Sequence, residues 1–129
     1  MFSRFRPFAK QKAGAPVVDV ACDWTGRWVA VVTVRAMLTF RERKLLSTIT
    51  HEGNRMVRVS EDGSRVVVVA FDGLHCYDMW GNSKWTYATG QDIHDIALQP
   101  DGAGTLVAEG EQLLRLDSQG EVHWSTSVD

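Results

Sequence analysis

Val57-Arg-Val-Ser-Glu-Asp-Gly-Ser-Arg-Val-Val-Val-Val69 recurs downstream as Ile96-Ala-Leu-Gln-Pro-Asp-Gly-Ala-Gly-Thr-Leu-Val-Ala108, and upstream, more loosely, as Val20-Ala-Cys-Asp-Trp-Thr-Gly-Arg-Trp-Val-Ala-Val-Val32. The three copies share one frame. Gly26 to Phe40, Gly63 to Tyr77 and Gly102 to Leu116, each running from a turn glycine to the residue that closes the third strand, are all 14 positions with no gap. Further on, Gly81-Asn-Ser-Lys-Trp85 matches Gly120-Glu-Val-His-Trp124, with the glycines and the tryptophans both 39 residues apart. In the first copy Leu46 takes the tryptophan position after a turn two residues shorter, so that copy is the divergent one. Such a period means supersecondary units that bury their apolar faces on one another.

Inside each unit apolar residues alternate with period two or form a short Val-rich run, and both patterns suit strands. In the middle copy strands are expected over Met56–Ser60, Arg65–Phe71, Leu74–Asp78 and Ser83–Ala88, with turns at Glu61-Asp-Gly63, Asp72-Gly73 and Trp80-Gly-Asn82. Glycine accepts the positive φ of a tight hairpin, and Asp and Asn tolerate it. No segment carries a helical stripe of ten or more residues. The expected fold is all-β: a basic arm over residues 1–16, then blades of four antiparallel strands over 17–53, 54–91 and 92–129. A unit of 37 to 39 residues approaches the roughly 40 to 45 of a β-propeller blade.

The run Val68-Val-Ala-Phe-Asp-Gly-Leu-His-Cys-Tyr-Asp-Met-Trp-Gly-Asn-Ser-Lys-Trp-Thr-Tyr87 resembles the quinoprotein-type (PQQ-like) blade repeat, and Leu116-Asp-Ser-Gln-Gly-Glu-Val-His-Trp124 fits it too. Val59-Ser-Glu-Asp-Gly63 and Leu98-Gln-Pro-Asp-Gly102 resemble the Ser-Pro-Asp-Gly turn of WD-repeat propellers. The resemblance spans about residues 17–129, most clearly in the second and third copies. It implies the propeller fold and leaves function open, because such propellers serve as dehydrogenases, scaffolds and sensors alike.

Propellers close with about four to eight blades, so three leave the outer faces of the first and last uncovered. A second copy would complete a six-bladed ring about a two-fold axis. The alternatives are that the chain is a segment of a longer propeller, or that a different partner supplies the missing blades. All three expect that the lone chain is not the working form; the first makes the chain its own partner, and an unidentified protein partner is expected besides.

Composition narrows the function classes. With 14 Lys and Arg against 16 Asp and Glu the net charge is −2; the first 16 residues hold four cations and no acid, leaving ten cations against sixteen acids, or −6, on the rest. No global field draws in nucleic acid. The longest apolar run, Val66 to Phe71, is far too short to span a bilayer, and the N-terminus lacks the hydrophobic region of a signal peptide. Cys22 and Cys76 form neither a disulfide framework nor a Cys-x-x-Cys pair, which points to a reducing, cytoplasmic home. Phe2, Phe5 and Phe8 between Arg4, Arg6 and Lys10 make a basic aromatic arm; residues 1–12 are read as a strand against a blade or a frayed end before a membrane-surface or single-strand contact.

The candidate contact residues fall in two sets. Trp24 and Trp80 sit beside turns, where an exposed indole is unfavourable unless a partner covers it. Asp19, Arg55, Arg58 and Asp95 lie on or beside the innermost strands, and mixed charges there read as an internally paired channel lining rather than a catalytic set. Trp85 and Trp124 share one blade position and are expected to pack between blades. His51, His75, His94 and His123 occupy non-equivalent positions and suggest no metal cage, and no phosphate loop or nucleophile elbow is present. A quinone-dependent enzyme would need more blades and an acidic calcium loop. The chain therefore reads as a non-enzymatic interaction module without a cofactor, with a channel-based sensor or enzyme as the rival.

Overall fold

The glycine-punctuated strands pair in the order in which the chain makes them. A computed structural model describes residues 15–128 as twelve strands. They are β1 (Val17–Cys22), β2 (Trp28–Thr33), β3 (Ala36–Arg41), β4 (Lys44–Thr50), β5 (Met56–Val59), β6 (Val66–Ala70), β7 (Gly73–Tyr77), β8 (Ser83–Ala88), β9 (Ile93–Leu98), β10 (Thr105–Glu109), β11 (Gln112–Leu116) and β12 (Val122–Ser127). They form three four-stranded antiparallel sheets in the orders β1-β2-β3-β4, β5-β6-β7-β8 and β9-β10-β11-β12. The all-β propeller architecture expected from the repeat is the one observed. Residues 1–14 of the N-terminal arm lie outside the described residues.

In the middle blade the second and third strands sit within a residue of expectation. Arg65 and Ser60 drop out of the strands because they close the turn instead, Ser60 N donating to Arg65 O at 3.0 Å. The repeat also shows as an irregularity of register. The pairing of third and fourth strands shifts between Thr39 and Phe40, between Cys76 and Tyr77, and between Arg115 and Leu116, one repeat position in all three blades. Such bulges bend and twist a strand, and here each blade carries the same one.

Two apolar layers hold the blades together. Ala30, Val32 and Met37 of the first blade pack on Val57, Val66, Val68, Tyr77 and Met79 of the second. Val67, Val69, Leu74, Cys76 and Trp85 of the second pack on Ile93, Ile96, Val107, Leu114 and Leu116 of the third. Because side chains alternate along a strand, β6 sends Val66 and Val68 to one neighbour and Val67 and Val69 to the other. Every residue of β6 is buried, which explains its unbroken valine run, whereas every residue of β12 is exposed. Each buried valine contributes about 1.5 to 3 kcal/mol relative to exposure.

Candidate functional site

The inner strands β1, β5 and β9 stand side by side, and their charged residues meet. Arg58 Nη1 lies 3.1 Å from Asp19 Oδ2 and Arg58 Nη2 lies 3.5 Å from Asp95 Oδ1, so one guanidinium links all three blades. Asp19 Oδ2 also accepts the Val57 amide at 3.1 Å, and its Oδ1 accepts Val20 N at 2.9 Å. Asp95 Oδ1 accepts Ile96 N at 2.9 Å, repeating in the third blade what Asp19 does in the first. Both pairs are partly solvated, which limits each to about 0 to 1 kcal/mol. The ladder joins the inner strands of the three blades.

Arg55 lies apart from this ladder. Its Nη2 donates to Ile93 O at 3.0 Å, and it lines a cavity of about 210 Å³ with Phe71, Thr89, Gln91 and Asp92, where the chain crosses from β8 to β9. Phe71, strongly exposed beside it, carried no signal in the repeat.

Trp24 and Trp80 project at the opposite end of the blades, where the first and third turns of each blade gather. Asp23 builds the turn beneath Trp24: its buried carboxylate accepts Thr25 Oγ1 at 2.7 Å and Trp28 N at 3.1 Å. Burial opposes its ionisation, but the bonds from Thr25, Trp28 and Gly26 outweigh it and hold the acid below the usual carboxylate range. Trp24 N donates to Glu61 O at 3.1 Å and Asp62 N to Pro100 O at 3.0 Å, tying each such turn to the next. Trp80 stands on a turn organised by Asp78, whose Oδ1 accepts Trp80 N and Asn82 N, both at 2.9 Å. Its ring meets Trp28 edge to face, centroids 6.1 Å apart.

Trp85 and Trp124 part company. Trp85 is 8% exposed, under Gly120 of the next blade, whereas Trp124, with no blade against it among the described residues, is 40% exposed.

Two histidines that the repeat scatters are brought together at the junction of blades 1 and 2. The His51 and His75 rings are 4.1 Å apart, edge to face. His75 Nε2 pairs with Asp72 Oδ1 at 2.8 Å and His51 Nδ1 with Asn54 Oδ1 at 2.7 Å. Buried Asn54 donates through Nδ2 to Thr33 O and His51 O, so its oxygen accepts and His51 Nδ1 is the donor. Burial pushes the His51 pKa down, and with His75 it outweighs the bond to Asn54 and the Asp72 carboxylate, which favour the cation. Among the described residues no group of three or more His, Cys, Asp or Glu is placed to hold a metal ion.

Solved structures share this arrangement of blades. The β-propeller domain of Myceliophteria thermophila Cps50 (Swd1) superposes with a TM-score of 0.70 at 10% identity, covering 88% of this chain and 42% of that one. Kluyveromyces lactis Hsv2 superposes with a TM-score of 0.67 at 12% identity, covering 87% of this chain and 37% of that one. The fold is a β-propeller fold. The chain spans less than half the length of either neighbour, and at this identity the likeness concerns fold alone. No protein-family model and no curated protein matches the sequence.

Proposed function

We propose that the chain is a non-enzymatic interaction module whose three blades, of PQQ-like or WD-like type, close with those of a second copy into a six-bladed ring. One comparison carries this reading. Val20, Val57 and Ile96 occupy one repeat position; Val57 is 0% and Ile96 5% exposed against a preceding blade, while Val20, which has none among the described residues, is 58% exposed. At the other end Leu106 and Trp124 stand open where Val67 and Trp85 are covered. The two ends thus present the two halves of an inter-blade interface, and a head-to-tail pair about a two-fold axis covers both.

Binding rather than catalysis is supported by the mutual pairing of the inner-strand charges and by Cys76, whose thiol burial pushes up to about 12 and so leaves protonated. The binding surfaces would be the turn faces bearing Trp24 and Trp80 and the channel mouth bearing Asp19, Arg58 and Asp95, with Arg55 at the far end. A reducing, cytoplasmic setting suits two free cysteines. Among the described residues no helix is long and apolar enough to cross a membrane. A second reading, that the three blades are a segment of a longer propeller, is favoured by the greater length of the solved neighbours.

Thermal unfolding at two protein concentrations about a hundredfold apart tests the ring, since mass action makes the Tm of a dimer rise with concentration. A Tm that rises supports closure on a copy; a Tm independent of concentration contradicts it.

A further inference from the structure

The turn of blade 2 and the outer strand of blade 1 enclose a groove of about 600 Å³ lined by Arg41, Glu42, Lys44, Leu45, Leu46 and Trp80. Its floor and walls come from within one chain, away from the open ends of the arc, so it exists whether or not the ring closes. Trp80 is 59% exposed, yet its backbone is fixed by Asp78 and its ring edge by Trp28. The turn is further anchored by Met79, buried in the core, whose carbonyl accepts Thr39 Oγ1 at 2.6 Å. An exposed indole held this firmly loses little conformational entropy on binding.

The charges beside it are unbalanced. Glu42, the one acid of the groove, faces Arg27 at 3.7 Å. Arg41 lies with its Cζ 4.8 Å over the Trp28 ring, and neither Arg41 nor Lys44 forms an ion pair among the described residues. Two uncompensated cations therefore flank an indole and two leucines, on a chain that is otherwise acidic.

We propose that this groove binds an acidic peptide segment of a partner protein: an aromatic or aliphatic residue seats against Trp80 and the Leu45–Leu46 wall, and adjoining carboxylates reach Arg41 and Lys44. Arg and Trp are residue types that concentrate binding energy at interfaces, and the cations set the sign of the partner. A polyanion such as single-stranded nucleic acid or an anionic membrane fits less well, because it would lay many further charges along an acidic body.

The test pans a phage-displayed library of random twelve-residue peptides against the full chain, with synthetic versions of the enriched peptides measured by fluorescence polarisation. Expected are peptides with Asp or Glu next to an aromatic or aliphatic residue, weakened about tenfold or more by Trp80→Ala and by the double variant Arg41→Gln, Lys44→Gln, and weakened by salt. The double variant alters only exposed or half-exposed side chains, so it reads the groove even if Trp80→Ala disturbs the turn. The proposal is overturned if no peptide is enriched, if the enriched peptides lack acidic residues, or if the double variant binds them unchanged. Tighter binding of oligo-dT or of phosphatidylserine vesicles through the same two cations would also overturn it, in favour of that ligand.

Discussion

Individual side chains hold the junctions between blades, and Asn54 with His51 shows how. Asn54 ties the crossover from blade 1 to blade 2 down to Thr33 O, while its oxygen keeps the Nδ1–H tautomer of His51. The fold favours the neutral imidazole, since burial first and then His75 disfavour the cation by more than the Asn54 bond and Asp72 favour it. Because the His51 pKa is lower folded than its ordinary 6.5, the unfolded chain takes up the proton first as pH falls. Stability from this group is complete above 6.5 and lost as pH drops from there to the folded value. Denaturant titrations at pH 8 and pH 5 are expected to show the protein less stable at pH 5, with His51→Gln reducing the difference. An equal pH dependence in that variant would contradict this account. None of it was legible in the sequence, because His51, Asn54 and His75 occupy different repeat positions and meet only across a blade junction. Arg58 was half legible: its charge type suggested pairing, but which way it faced depended on strand pleat. Trp85 was fully legible, since its repeat position alone implied an inter-blade neighbour.

At the scale of elements, the strands follow directly from glycine spacing and alternation, and the third turn of the first blade is where the copies diverge. Blades 2 and 3 use Gly81 and Gly120 there, both at positive φ. The first blade makes the hairpin between β3 and β4 with two residues only, Glu42 at φ 49° and Arg43 at φ 73°. Both side chains sit in the left-handed region, which costs about 1 to 2 kcal/mol per residue outside glycine and Asn. The twist of such a two-residue hairpin favours Asn-Gly. Replacing Glu42-Arg43 with Asn-Gly is therefore expected to raise the Tm by a few degrees, corresponding to about 1 kcal/mol, despite loss of the exposed Arg27–Glu42 pair. Calorimetry of the double variant checks it, and an unchanged or lower Tm would mean that the turn is not strained. The shorter turn was visible in the sequence as the two-residue deficit, whereas its backbone conformation was not.

At the scale of the whole molecule, three blades make an arc whose ends expose what its middle buries. The second blade is covered on both faces and its valines alternate between two neighbours; among the described residues the first and third each lack one. The repeat made this legible, since counting blades already left two faces without partners, but which side chains would stand open needed the pleat. Leu106, the counterpart of buried Val67, is the sharpest probe, because an aspartate there would bury a charge only if another blade arrives. The most direct test is the solution mass by light scattering after size exclusion, for the wild type and for Leu106→Asp. Ring closure predicts 28.8 kDa for the wild type, twice the 14.4 kDa of the chain, and 14.4 kDa for the variant. A wild type that stays at 14.4 kDa across the accessible concentrations would contradict the six-bladed dimer.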